Sequence, residues 1–72
     1  MLRLQPTADA TAIVETQTYK ATPYYHASIL WVGANGLLRG IERSWKSPEA
    51  AREWIRLKFE EAGHACPTIT CA

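Results

Sequence analysis

The sequence is poor in most of what marks a specialised chain. It holds two cysteines, one methionine and one phenylalanine. No apolar run approaches the ~20 residues that a membrane-spanning helix needs. The first ten residues lack the apolar centre of a signal peptide, so the expectation is a cytoplasmic protein with both thiols reduced. Charge of one sign is equally scarce. Eight Lys and Arg against seven Asp and Glu leave a formal net charge of +1, which excludes a strongly basic nucleic-acid coat. Its 72 residues allow one small domain, residues 1–72, and exclude a multidomain enzyme. What is present is ordinary: 47% of residues are apolar, enough to argue against disorder. A domain this small hides only about 60% of the surface its unfolded chain exposes, so its stability is marginal.

Three strands and one helix are legible. Leu2 and Leu4 alternate with Arg3 before Gln5-Pro6-Thr7 ends any short strand there. Thr11–Tyr19 is rich in Thr, Ile, Val and Tyr without Gly or Pro, which suits a strand. Lys20–Pro23 reads as a connection, because Pro23 lacks a donor and disfavours helix in Thr22. Tyr24–Val32 and Leu37–Trp45 are the second and third strands, joined through Gly33-Ala34-Asn35-Gly36. That joint admits two registers. A two-residue Asn35-Gly36 turn opposes Leu30 to Ile41 and leaves both faces mixed. A three-residue loop with Gly36 left-handed opposes Tyr25 to Trp45 and Ile29 to Ile41, gathering apolar residues on one face. Burial favours the second register.

The helix is marked at both ends. Ser47 can cap it, Pro48 suits its first position, Glu49 favours its positive end and Gly63 suits a left-handed stop after Ala62. Glu49, Arg52, Glu53, Arg56 and Glu60 share one arc of about 100°. The opposite arc holds Ala50, Ala51, Trp54, Ile55, Leu57, Phe59 and Ala62, and Trp54 is expected at the centre of the helix–sheet contact. The fold class expected is α+β: an antiparallel sheet of three strands covered on one face by the helix, in the order βββα. Thr68-Ile69-Thr70 offers a short fourth strand near the C-terminus.

Chemistry is thinly represented. His64, Cys66 and Cys71 crowd into eight residues, and a fourth zinc ligand would have to come from His26 on a distant strand. A Cys66–Cys71 disulfide would close only a short loop. Both cysteines therefore read as ordinary thiols, with no metal and no cofactor expected. Nucleophile chemistry needs a serine or cysteine oriented by a histidine and a third group, and little near His64 would hold such geometry. The glycine-rich turn lacks a Gly-Lys-Ser/Thr ending and precedes a strand, so it is no phosphate loop. No enzymatic activity is expected.

Binding is the remaining class. Arg39, Arg43, Arg52 and Arg56 are the candidate nucleic-acid contacts, with aromatic residues near enough to stack bases. The favoured register puts Arg39 and Arg43 on the helix side of the sheet, however, and intersperses Arg52 and Arg56 with carboxylates. On the other, open face it gathers Leu30, Val32 and Leu38 beside His26, Ser28 and Glu42. Leu2, Leu4 or the C-terminal tail can cover part of this cluster; left uncovered, an apolar cluster with a polar rim has the character of a protein interface. The partners expected there are a protein complex or a second copy of the chain, with nucleic acid ranked below them and no membrane role.

From Arg43 through Ser47-Pro48-Glu49-Ala50-Ala51 to Trp54-Ile55, preceded by the hairpin, the chain resembles the arm-binding N-terminal domains of phage and transposon tyrosine recombinases. That resemblance implies a strand–strand–helix unit and contact with DNA. In size and architecture the chain is also similar to small phage-encoded inhibitors, some anti-CRISPR proteins among them. This likeness implies a stoichiometric inhibitor that occupies a functional surface of a host defence complex. The expected function is thus a non-enzymatic binding protein of the inhibitor type, with a small DNA-binding accessory protein as the alternative.

Overall fold

A computed structural model describes residues 5–71. The short strand expected around Leu2 and Leu4 lies outside the described residues. The elements are β1 (Thr11–Tyr19), β2 (Thr22–Val32), β3 (Leu38–Trp45), α1 (Pro48–Glu61) and β4 (Thr70–Cys71). They form one four-stranded sheet in the order β3-β2-β1-β4, with α1 packed on one face. The class is α+β, as the residue patterns require. β1, β2 and β3 are antiparallel neighbours, whereas β4 lies parallel to β1 and makes the sheet mixed.

The β1–β2 connection is tighter than its residues suggest. Lys20 and Ala21 both have positive φ, 50° and 65°, so they alone form the turn. Two left-handed central residues define the hairpin turn whose twist matches that of the strands, and Asn-Gly is its usual occupant. Thr22 and Pro23 therefore belong to β2, opposite Tyr19 and Thr18. Neither turn residue is a natural left-handed one, and each such position costs roughly 1–2 kcal/mol. Replacing Lys20-Ala21 with Asn-Gly should accordingly raise stability by about 1 kcal/mol. A thermal melt checks this, and an unchanged or lowered midpoint would refute the strain.

The β2–β3 connection takes the three-residue loop. Gly33 N donates to Leu37 O at 2.8 Å and Gly36 N to Gly33 O at 2.9 Å, with Gly36 at φ 80°. Tyr25 opposes Trp45, Ile29 opposes Ile41 and Val32 opposes Leu38. Because side chains alternate between faces, this register sends Ala12 and Val14, then Ala27, Ile29 and Trp31, toward the helix. All five are buried.

The helix ends are satisfied locally. Ser47 Oγ accepts from Ala50 N at 3.1 Å. At the other end Gly63 N donates to Glu60 O and His64 N to Phe59 O, both at 2.9 Å, around Gly63 at φ 79°. That pair of bonds is the left-handed stop described by Schellman geometry. The face α1 buries is Ala51, Ile55 and Phe59, spaced four apart, all at 0% exposure. Trp54 is not at the centre of the contact. It sits half-buried on the flank, its ring 6.4 Å from that of Trp45. One residue is about 100° of helix rotation, enough to move a side chain from the middle of the contact to its margin. Leu57 is likewise exposed rather than buried. Cys66 and Ile69 pack against the same core, on the helix side of the sheet.

Candidate functional site: the open face of the sheet

The face away from α1 divides into three zones along the strands. Beside the β2–β3 turn it is apolar. Val32 is 62% exposed and Leu38 71%, and Leu30 is exposed with them. Their strands put them there: Val32 opposes Leu38, and Leu30 opposes Gly40. Gly40 matters because Leu30 lies across it. A Cβ at position 40 would stand 2.7 Å from Leu30 Cδ2. A groove of about 550 Å³ opens beside this cluster, lined by Leu30, Trp31, Val32 and Leu38 together with Thr7, Asp9 and Thr11. The site residues expected at this end, Leu30, Val32 and Leu38, are thus brought together.

The middle zone is polar. His26 stands opposite Ser44, and its Nδ1 lies 3.2 Å from Ser44 Oγ. Its Nε2 lies 3.1 Å from Glu42 Oε2, a contact between a half-buried ring and a carboxylate 70% exposed. A serine, a histidine and a glutamate in line were not anticipated as a unit. The signal was available, since the favoured register opposes His26 to Ser44 and places Glu42 two residues along. Acyl-transfer chemistry also needs a cavity that holds a substrate against the serine. Neither groove on this face is lined by Ser44 or His26. The arrangement reads better as a hydrogen-bonded rim that fixes side chains beside the apolar zone.

At the far end, beside the β1–β2 turn, the face is aromatic and cationic. Tyr24 OH donates to Gln17 Oε1 at 2.6 Å, fixing the ring on the sheet. Lys20 Nζ lies 5.5 Å from the centroid of the exposed Tyr19 ring. A second groove of about 640 Å³ is lined by Tyr19, Lys20, Thr22, Pro23, Tyr24 and Lys46. This zone was missed in the sequence because Lys20–Pro23 read as a loop, which hid that Tyr19 and Tyr24 share a face.

The candidate nucleic-acid contacts are not brought together on one surface. Arg39 and Arg43 oppose Trp31 and Ala27, so they lie on the helix side of the edge strand β3. The Arg43 guanidinium lies 4.5 Å from the centroid of the Trp45 ring. Arg56 is held by two carboxylates of α1, hydrogen-bonding Glu53 and meeting Glu60 at 2.8 Å. The hydrogen bond from Arg56 holds the Glu53 carboxyl below the usual carboxylate range, and the same bond raises the arginine's own pKa. Arg52 is exposed on the same helix. Cys66 and Cys71 are free thiols, the first half-buried and the second exposed, and burial pushes the Cys66 thiol up. Among the described residues, no three His, Cys, Asp or Glu side chains are grouped to hold a metal ion. No helix among them is long and apolar enough to cross a membrane.

Comparison of the chain with family models, with curated proteins and with solved structures found no match.

Proposed function

We propose that this is a non-enzymatic binding protein that docks on a protein partner through the open face of its sheet. One observation carries the reading: Leu30, Val32 and Leu38 are exposed together on a face that the helix does not cover. Stranding large aliphatic side chains in water costs free energy that burial against a partner recovers, at about 25 cal/mol per Å². Their rim of His26, Ser44 and Glu42 is polar and internally bonded, the arrangement that surrounds the centre of many interfaces. Stoichiometric inhibition of a host defence complex is the form of action this proposal carries, supported by the small size and the single docking face. DNA binding is less well supported. Its four arginines are divided between the margin of one strand and the outer side of the helix, where Arg56 is already paired.

The test uses two variants of the whole chain, each checked by circular dichroism. Val32→Glu should leave the fold intact, because the residue is 62% exposed. It should weaken binding to the protein partner at least about tenfold, equivalent to ~1.4 kcal/mol. Reversing Arg52 and Arg56 together should change that binding little. If duplex DNA binds instead, with steep salt dependence that the arginine variant abolishes, the DNA reading replaces this one.

A further inference from the structure

We propose that the open face fits a second copy of this chain, packed sheet against sheet with strands reversed. In that arrangement the leucine–valine end of each copy enters the tyrosine–lysine groove of the other. The inference rests on the docking role of the face and adds that a second copy covers it when no other partner is bound, so that self-association and partner binding compete.

Three features of the face support it. The first is shape. Val32 and Leu38 stand exposed beside a groove at one end, and Tyr19 and Tyr24 line a second groove at the other. Val32 and Thr22 share this face and are ten residues apart in β2, about 34 Å at ~3.4 Å per residue. A two-fold axis crossing the strands between His26 and Ser28 exchanges the two ends in one step. It opposes Val32 to Thr22 and Leu30 to Tyr24 of the other copy, and His26 to its Ser28. The aliphatic end of each molecule thus meets the tyrosine end of its mate.

The second feature is charge. The groove end carries Lys20 and Lys46, whereas the groove beside the leucines carries Asp9. Asp9 lies just before β1 and Lys20 just after it. The same two-fold axis brings Asp9 of each copy to the Tyr19-Lys20 end of the other, twice over. Pairing through the exposed edge of β3 offers no such match. Centred on Ile41, it would set Arg39 directly against Arg43 of the other copy, and like charges so placed repel.

The third is size. β1, β2 and β3, with nine, eleven and eight residues, give a face of roughly 30 by 14 Å, a footprint at the low end for a specific interface. Because each copy uses the same surface, the assembly closes at two.

Sedimentation velocity over a dilution series tests this on the whole chain. A monomer–dimer equilibrium is expected. Val32→Glu should raise its dissociation constant at least about tenfold, and Leu38→Glu serves in its place if circular dichroism shows the first variant unfolded. Asp9→Lys and Lys20→Asp should each weaken the dimer by about two- to fivefold, as partly exposed ion pairs do, and the two together should restore it. A monomer at every concentration overturns the dimer but not the docking reading, which the Val32→Glu partner assay judges separately. Species growing beyond two overturn the closed two-fold arrangement. A dimer indifferent to both Val32→Glu and Leu38→Glu shows that association uses another surface, and it too refutes the proposal.

Discussion

Replacing Phe59 with alanine should cost about 3–5 kcal/mol, enough to leave much of the population unfolded at room temperature. Phe59 is among the largest fully buried side chains of the chain and the last of the three residues α1 sets into the sheet. Its removal opens a cavity that neighbours held in a four-stranded sheet cannot collapse to fill. The loss is the transfer free energy of a whole ring together with the contacts that ring made. A urea titration measures it, with Trp54→Ala as the internal comparison. Trp54 is larger but half-buried on the flank, so its truncation should cost roughly half as much. If Trp54→Ala proves the more damaging of the two, the helix is rotated from the position described.

Enlarging a side chain at the same contact should be nearly as harmful. Ala27 on β2 and Ala51 on α1 are both at 0% exposure, and α1 packs chiefly against β2. Small residues at these positions let the helix approach the sheet closely. Ala51→Leu adds three carbons where the interior has no room, at a cost of about 1–3 kcal/mol in displaced backbone and strained rotamers. The control is Arg52→Leu one position along, which points to water and should be near neutral. Equal effects at the two positions in a thermal melt would show that the helix does not lie close to the sheet at Ala51.

The elements that were legible are those where local chemistry and burial agree. Ser47, Pro48 and Gly63 delimited the helix because caps act over a few residues, and the structure supplies their hydrogen bonds. The β2–β3 register was legible because one choice separates apolar from polar residues and the other mixes them. The β1–β2 turn was not. Lys20 and Ala21 carry no left-handed signature, and the strand pairing on either side imposes the conformation on them. The offset of Trp54 was hidden for a related reason. A continuous apolar arc from Ala50 to Ala62 fixes which side of the helix faces inward only to within one residue, and the packing of Ile55 and Phe59 decides the rest. At the candidate site, the leucine–valine end followed directly from register. The tyrosine–lysine groove depended on the turn that was misread, and so it emerged only with the structure.

Gly40 carries a consequence for how this molecule can change over generations. Leu30 occupies space that any other residue at position 40 would claim, and the atom in the way is the tip of a flexible side chain rather than backbone. A methyl group introduced there would re-aim Leu30 while Ile29 and Ile41, on the other side of the sheet, stayed in place. The contour presented to a partner can therefore drift by single substitutions without passing through an unfolded ancestor. The shape of the exposed face and the stability of the fold beneath it can be inherited as separate traits.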